Sequence, residues 1–283
     1  MSDFILTAFE QTLLLLPLIF GLYLTYRLLK ITDLAVEGFY VFGAAISSAV
    51  FETTGSLISA LIAMIVGVVC IGLIISLIHR FYPGQELMVG ILGNFMMYSV
   101  NLIVMGRPYI ALYNQLSIFT ENHKIILLIF SSIFILLSFY LLMRSSFGLK
   151  LRGVGSNNLL MKRLGHSIFL LRTSGLIITY LFASLSGLLT AQSYGFADIH
   201  MGSGIALTSL GAIIIGLNFS KKILSIINKA YDLKIDLTCC FLGCFFYFIL
   251  MGLLLYLGLP ASYLKLAIGA VLLLTLSKGG QHV

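Results

Sequence analysis

Nine apolar runs, most of them about as long as a lipid bilayer is thick, follow one another along this chain. A helix needs roughly 20 predominantly apolar residues to cross the hydrocarbon core, and only helices or closed barrels satisfy their backbone hydrogen bonds there. The sequence therefore predicts one all-α, polytopic membrane domain over residues 1–283, with about eight or nine membrane segments. The second run is too short to span comfortably, which predicts a tilted or a half-membrane, re-entrant helix. The runs occupy residues 4–26, 36–51, 57–78, 87–105, 125–143, 168–195, 203–218, 238–258 and 263–277.

The composition supports this prediction and excludes a water-soluble fold. Hydrophobic residues make up 60% of the 283 residues and charged residues 10%, and the mean hydropathy is +1.08. An average soluble domain has about 25% charged residues. The net charge of +7 does not indicate nucleic-acid binding, because the basic residues lie in short gaps between the apolar runs. The cysteines lie inside the runs, which predicts free thiols rather than a disulfide: Cys70, Cys239, Cys240 and Cys244.

The distribution of Lys and Arg predicts how the chain is oriented in the membrane. If nine segments alternate sides, all but three of the 17 basic residues fall on one side, and the exceptions are Arg107, Lys124 and Lys265. In such proteins the side rich in Lys and Arg is cytoplasmic. We therefore expect the amino terminus outside and the carboxyl terminus in the cytoplasm.

The largest predicted cytoplasmic segment, residues 144–172, is strongly basic. It holds six Lys and Arg residues and no acidic residue. Asn157 and Asn158 form a helix-capping signal ahead of Leu160 and Leu164, which predicts a short amphipathic helix. Two interpretations remain open: a basic loop that lies on anionic lipid, or a docking element for a cytosolic partner.

The sequence lacks the usual signatures of catalysis. It contains no Gly-x-x-x-x-Gly-Lys-Ser/Thr loop, His-Glu-x-x-His helix or Gly-x-Ser-x-Gly elbow, so we do not expect this chain to be an enzyme or to have catalytic residues. We expect no metal site either, because the histidines lie in loops or at segment ends without ligand spacing. They are His79, His123, His166, His200 and His282.

Polar residues inside the apolar runs are the candidates for function. In the fourth run, Asn94, Tyr98 and Asn101 fall at i, i+4 and i+7, on one stripe of a helix. Gln192 in the sixth run and Asn218 in the seventh are also amides in apolar surroundings. An unpaired amide in hydrocarbon costs a few kcal/mol, so each must face protein or water. The stripe therefore predicts either interhelical hydrogen bonds or the lining of a polar pathway.

Two acidic residues and two groups of small residues complete the pattern. Asp33 and Glu37 lie at i and i+4 beside the start of the second segment, where the positive end of the helix dipole favours carboxylates, which predicts helix capping. Small residues at every fourth position predict close helix packing: Ala183, Gly187, Ala191 and Gly195. Further glycines predict crowding, or a broken helix, in the next segment: Gly202, Gly204, Gly211 and Gly216.

Four stretches give the chain a family resemblance. They are Gly21–Gly38 with Gly43–Ala45, Tyr98–Tyr109, Phe147–Gly155 through Gly165, and Gln192–Gly202. Met105-Gly-Arg-Pro108 and Gly195-Phe-Ala-Asp198 are the most specific among them. On these motifs the chain resembles the permease subunits of ABC importers in the branched-chain amino acid and ribose permease superfamily, particularly its subgroup of uncharacterised permeases.

The resemblance implies a function, partners and a location. It implies a bacterial inner-membrane permease that imports a small polar solute such as an amino acid, through a pathway built from the central segments. A second permease copy would complete that pathway within the membrane lipid, and an extracytoplasmic solute-binding protein would deliver the solute. A cytosolic ABC ATPase would bind the ATP, so no cofactor is expected in this chain.

The resemblance also assigns roles to particular residues. The stretch matching Phe147–Gly165 is implied to be the coupling element that contacts the ATPase, through Gly148, Arg152, Gly155, Asn157, Leu160, Leu164 and Gly165. The motif residues Asp33, Glu37, Gly38, Arg107 and Pro108 are expected to be structural. The chain departs from the family pattern with Gly-Ser-Asn-Asn for Gly-Asp-Asn-Pro and Ala-Val-Glu-Gly for Thr-Val-Asp-Gly. The alternatives are an ion-coupled secondary transporter and a membrane-embedded lipid-modifying enzyme.

Overall fold

The described part of the protein is a bundle of long helices with a short two-stranded ribbon. The structure, a computed structural model, describes residues 2–82, 84–112, 124–227 and 232–258, together with residues 260, 263, 266 and 269. The elements are α1 (Ser2–Leu22), which continues as a π-helix (Tyr23–Leu29), α2 (Ala35–Thr54), α3 (Leu57–Phe81), α4 (Glu86–Met105), β1 (Tyr109–Ala111), α5 (Lys124–Arg144), α6 (Ser146–Ser156), α7 (Asn158–Arg163), α8 (Ile168–Tyr194), β2 (Phe196–Asp198), α9 (Ile205–Ile227) and α10 (Leu233–Tyr256).

Eight helices in the described part of the chain are long and apolar enough to cross a membrane. They are α1 with its π-helical extension, α2, α3, α4, α5, α8, α9 and α10. The prediction of an all-α polytopic membrane protein is confirmed. Most of the ninth predicted segment, 263–277, lies outside the described residues.

Helix α2 is the central helix of the bundle. It packs against α4, α8 and α3, and 72% of its membrane window is buried, compared with 28% for α3 and α4 and 22% for α5. Its 20 residues give a length of about 30 Å at 1.5 Å per residue, so the second segment is long enough for a full crossing. The sequence pattern underestimated the length of this helix, because Glu52 and the threonines after it resemble the polar end of an apolar run. These residues still lie within the helix.

Small residues let α8 approach α2 closely. A Cβ atom at Gly43 would overlap the backbone of Ser184, and one at Gly187 would overlap the carbonyl of Tyr40. The Ser184 hydroxyl donates a hydrogen bond to the carbonyl of Phe39 at 2.8 Å. This interface is the close helix packing that the small residues of α8 predicted.

The chain is interrupted between α8 and α9. Strand β2 follows α8 directly and pairs antiparallel with β1, with Ile110 opposite Ala197. Residues 199–204 then turn back along α2, and α9 begins where the backbone N–H of Ala206 donates a hydrogen bond to Glu37. Glu37 also contacts Asn94, the ninth of the 20 residues of α4, so α9 begins level with the middle of α4. The seventh segment thus begins with a turn that precedes its helix. A broken helix was one of the two interpretations that the glycines of this segment allowed.

Candidate functional site

A cavity of about 370 Å³ lies between α2, α4 and the turn that precedes α9. Pockets that bind small molecules commonly have volumes of roughly 300–1,000 Å³ and combine apolar walls with a few convergent polar groups. This cavity fits that description. It is lined by Glu37, Gly38, Val41, Asn94, Phe95, Tyr98, Asn101, Ile199, His200, Gly202 and Ser203.

The carboxylate of Glu37 lies in the wall of the cavity and joins three elements. One oxygen accepts a hydrogen bond from the backbone N–H of Ala206 at 3.2 Å, and the other accepts from Nδ2 of Asn94 at 3.4 Å. A charged group at membrane depth needs such compensation, and the positive end of a helix dipole supplies part of it. Glu37 thus lies in the first turn of α2, where the sequence placed it, and it also caps α9 from that neighbouring helix.

Asp33 performs the capping at the start of α2. Its Oδ1 accepts a hydrogen bond from the backbone N–H of Ala35 at 2.9 Å, and its Oδ2 accepts one from the hydroxyl of Tyr180. Nε2 of His79 lies 3.7 Å from the same carboxylate. Asp33 thus fastens α2 to α8 and α3. This cluster could not be predicted from local sequence patterns, because its members are far apart along the chain.

The amide of Asn101 is divided between packing and the cavity. Its Nδ2 donates to the carbonyl of Gly38 at 3.0 Å, while its Oδ1 has no hydrogen-bond partner among the described residues and the side chain is only 1% exposed. A Cβ atom at Gly38 would overlap Met97, so the glycine permits α4 to come this close. Both interpretations of the polar stripe, interhelical bonding and cavity lining, therefore describe part of what Asn101 does.

Aromatic side chains form the open side of the cavity. The ring of Tyr98 lies 6.0 Å from that of His200, and Phe95 is 69% exposed beside them. Asn94, Tyr98 and Asn101 thus come together at one cavity, as their helical spacing implied.

The other two candidate pathway residues lie elsewhere. Gln192 is buried near the end of α8, and neither of its amide atoms has a hydrogen-bond partner in the described part of the chain. Asn218 is half-buried in α9, 12 residues after Ala206. Neither residue lines the cavity around Glu37, so the five candidates do not form a single site.

The motif residues after α4 fasten its end to α2 and to the segment that follows β2. Arg107 forms an ion pair with Glu52 at 2.6 Å, and the carbonyl of Pro108 accepts a hydrogen bond from the backbone N–H of Ile199 at 3.0 Å. The second bond lies just before the turn that leads to the cavity. Arg107 and Pro108 therefore help to position one wall of the site without lining it.

The predicted coupling element consists of two helices, α6 and α7. Asn157 caps α7 by accepting a hydrogen bond from the backbone N–H of Leu160 at 3.0 Å, in the place where the sequence put a cap. Leu160 and Leu164 are 53% and 62% exposed. The element ends at Gly165, whose φ of +78° lies in the left-handed region that favours glycine. Helix α6 was not expected from the sequence.

Helix α6 connects this exposed surface to the bundle. A Cβ atom at Gly155 would overlap the carbonyl of Leu28 in the π-helix, and one at Gly148 would overlap the carbonyl of Met143 at the end of α5. The guanidinium of Arg152 donates a hydrogen bond to the same Met143 carbonyl at 2.9 Å. These glycines and the arginine therefore attach α6 to the ends of two membrane helices.

A helical membrane bundle with a polar cavity of ligand size, and with a helix that begins at that cavity, has the architecture of a membrane transport protein. Comparison with known proteins gives the family. The family model described as the permease component of branched-chain amino acid transport systems matches residues 5–276. The chain belongs to this family.

Two relatives cover nearly the whole chain. An uncharacterised protein of Rickettsia prowazekii (strain Madrid E) is 42% identical over 278 residues, which are 97% of each chain. A tyrosine transport system permease protein of Clostridioides difficile (strain R20291) is 31% identical over 285 residues, 99% of this chain and 92% of the relative. No solved structure matches the chain.

Proposed function

We propose that this protein is the membrane-spanning subunit of an ABC importer for a small polar solute such as an amino acid. The observation that carries the proposal is the cavity of about 370 Å³ around Glu37, in a chain that belongs to a transport permease family. The solute passes along the polar stripe of α4, and a separate cytosolic ATPase binds and hydrolyses the ATP. The permease lies in the bacterial cytoplasmic membrane with its amino terminus outside and its carboxyl terminus in the cytoplasm.

The exposed leucines of α7 support an ATPase contact. Leu159, Leu160 and Leu164 are large apolar side chains exposed on a strongly basic segment, an arrangement that is typical of a docking surface. Because α6 is attached to the π-helix and to the end of α5, a displacement of α7 by the ATPase moves the ends of α5 and of the α1 extension. The coupling element thus links the ATPase to the bundle.

The exposed face of α4 supports a second permease copy. The cavity opens beside Phe95, and Met96 and Ile103 of the same helix are also exposed. A second copy on this face would close the cavity and complete the pathway, while lipid covers the remaining apolar surface. A solute-binding protein delivers the solute from the outer side, where α4 and α8 end in the two-stranded ribbon.

The relative from Clostridioides difficile suggests which solute to test first. That protein carries the name of a tyrosine transport permease, and the cavity of this chain has aromatic side chains, Phe95 and Tyr98, at its open side. Aromatic rings pair favourably with one another in offset or edge-on arrangements. Tyrosine is therefore the first candidate among the amino acids.

The experiment uses proteoliposomes that hold the permease with the ABC ATPase and the solute-binding protein of the same organism. We expect uptake of tyrosine that requires ATP. Replacing Leu160 and Leu164 with Asp lowers ATPase binding by more than about tenfold, because a central interface side chain commonly contributes about 2 kcal/mol or more. The variant stays folded in the membrane, since both side chains are exposed.

The matched control is Leu257→Asp, at an exposed leucine that follows α10. It leaves ATPase binding unchanged. Uptake driven by an ion gradient alone, without the ATPase, would show instead that the protein is a secondary transporter. Undiminished ATPase binding by the Leu160 and Leu164 double variant would remove the coupling role of α7.

A further inference from the structure

An open cavity of about 330 Å³ lies between the end of the π-helix and α6. It shares no lining residue with the cavity around Glu37. Three of its lining residues are basic, and none of the described lining residues is acidic, so the cavity suits an anion. It is lined by Arg27, Leu28, Lys30, Arg152, Gly153, Gly155 and Ser156.

The basic residues of this cavity come from two elements that the fold brings together. Arg27 lies in the last turn of the π-helix, and Lys30 follows it with a φ of +57° where the chain turns towards α2. Helix α6 lies against this turn because Gly155 has no Cβ atom to overlap the carbonyl of Leu28. The cationic side chains of the π-helix end and of α6 therefore line one space.

Arg27 and Lys30 are exposed, and neither forms an ion pair with a carboxylate in the described part of the chain. The carboxylate of Asp236, at the start of α10, accepts hydrogen bonds from the hydroxyls of Tyr23 and Ser220, and Asp236 does not line the cavity. The charges of Arg27 and Lys30 thus remain available to an anion that enters from outside.

The position of the cavity indicates where that anion comes from. The first membrane span ends at Leu29, so Arg27 and Lys30 lie at the level where membrane helices meet lipid headgroups. The proposed orientation makes this end cytoplasmic, and the cytoplasmic leaflet carries anionic lipids that attract Lys and Arg. Basic pockets between membrane helices on that side commonly bind anionic headgroups.

We propose that this cavity binds the phosphate headgroup of an anionic phospholipid, with Arg27 and Lys30 as its principal ligands. A headgroup held here contacts both the π-helix and α6, and so attaches the coupling element to the membrane surface. The leucines proposed to contact the ATPase, Leu160 and Leu164, do not line the cavity. Lipid binding and ATPase docking therefore belong to different parts of the basic segment. This inference goes beyond the importer function and does not depend on the solute.

Equilibrium binding to the purified permease in a non-ionic detergent tests the proposal. The probe is a short-chain phosphatidylglycerol with a fluorescent label on one acyl chain, and phosphatidylcholine with the same chains and label is the comparison. We expect saturable binding of phosphatidylglycerol that is at least about tenfold tighter, because each basic residue near a headgroup contributes about fivefold to the affinity for an anionic lipid. Equal binding of the two lipids would overturn the proposal. This comparison needs no variant.

The double variant Arg27→Gln and Lys30→Gln then locates the site. It removes two charges, so the affinity for phosphatidylglycerol should fall about 30-fold while that for phosphatidylcholine stays the same. The matched control is Lys221→Gln and Lys222→Gln, which removes two charges from exposed lysines of α9 that do not line the cavity. An equal loss in the control would show that lipid binds to the general basic surface, and the assignment to this cavity would be wrong.

Two further measurements distinguish other sources of the anion. If inorganic phosphate displaces the labelled phosphatidylglycerol as well as the unlabelled lipid does, the site takes a free anion and the lipid assignment is refuted. If the double variant loses ATPase binding but keeps its affinity for phosphatidylglycerol, Arg27 and Lys30 contact the ATPase and the proposal is again refuted. Uptake without an ATPase would refute the importer but leave lipid binding standing.

Discussion

The two sides of the central helix α2 are built from similar residues but leave different surfaces. Against α8, Gly43 and Gly187 bring the backbones together, and the Ser184 hydroxyl is satisfied by the Phe39 carbonyl. The rings of Phe39 and Tyr180 stack with their centres 4.0 Å apart, which fills the remaining space. This side is closed, and the hydroxyl of Ser184 is used in joining the helices.

Against α4, the same helix leaves a cavity. Gly38 permits a close approach there as well, and Asn101 donates to its carbonyl, but the carboxylate-bearing residue Glu37 lines a cavity large enough for a solute. On the α8 side the Ser184 hydroxyl is consumed by helix packing, whereas on the α4 side polar side chains line a cavity.

The largest expected effect comes from adding a methyl group to the closed side. In Gly43→Ala the new Cβ overlaps the backbone of Ser184, which cannot move without separating α2 from α8. Overpacking of this kind costs about 3 kcal/mol. We expect the yield of folded protein and its unfolding temperature in detergent to fall sharply.

The matched variant on the open side is Gly38→Ala. There the new Cβ overlaps the Cβ and Cγ of Met97, and the Cβ of Met97 moves only with the backbone of α4. Helix α4 must therefore shift, but it borders the cavity and overlaps less than the Ser184 backbone does at Gly43, so about 2 kcal/mol is expected. Thermal unfolding of the two variants under identical conditions provides the measurement. If Gly38→Ala is as destabilising as Gly43→Ala, the α4 side is packed as tightly as the α8 side, and the distinction between them is wrong.

A smaller effect is expected from removing one hydrogen bond on the closed side. Ser184→Ala deletes the bond to the Phe39 carbonyl, and interhelical bonds of this type contribute about 0.6 kcal/mol on average and up to about 1.7 kcal/mol. Uptake per folded molecule should stay unchanged, because Ser184 does not line the cavity. An altered substrate preference in this variant would show that the α8 interface takes part in solute recognition.

The features that follow from local pattern were predictable from the sequence. The apolar run 57–78 became α3, since a membrane helix depends chiefly on the hydrophobicity of consecutive residues. The cap at Asn157 was predictable because it involves neighbours three residues apart. The shared position of Asn94, Tyr98 and Asn101 followed from helical periodicity alone.

The features that depend on which helices meet were not predictable in this way. Glu37 lies in the first turn of α2 as its position predicted, but its second role could not be predicted, because its partner Ala206 lies 169 residues further along the chain. Asp236 is buried between the hydroxyls of Tyr23 and Ser220, and the sequence offered no reason to pair them. Periodicity shows which face of a helix is polar, whereas the identity of the neighbour depends on the packing of the whole bundle.

The smallest effect on stability is expected at Asn101, where the two sides of α2 are most clearly distinguished. Asn101→Ala removes the bond to the Gly38 carbonyl, but that carbonyl lies within α2 and keeps its intrahelical hydrogen bond. The substitution also removes an unpaired buried acceptor, and the two contributions oppose each other, so we expect a net change below about 0.5 kcal/mol. Uptake per folded molecule should nevertheless fall, because Asn101 belongs to the lining of the cavity. Thermal unfolding and uptake into proteoliposomes from the same preparation measure both quantities. A variant that is clearly destabilised, yet binds and transports normally per folded molecule, would place Asn101 with Ser184 among the residues that only join helices.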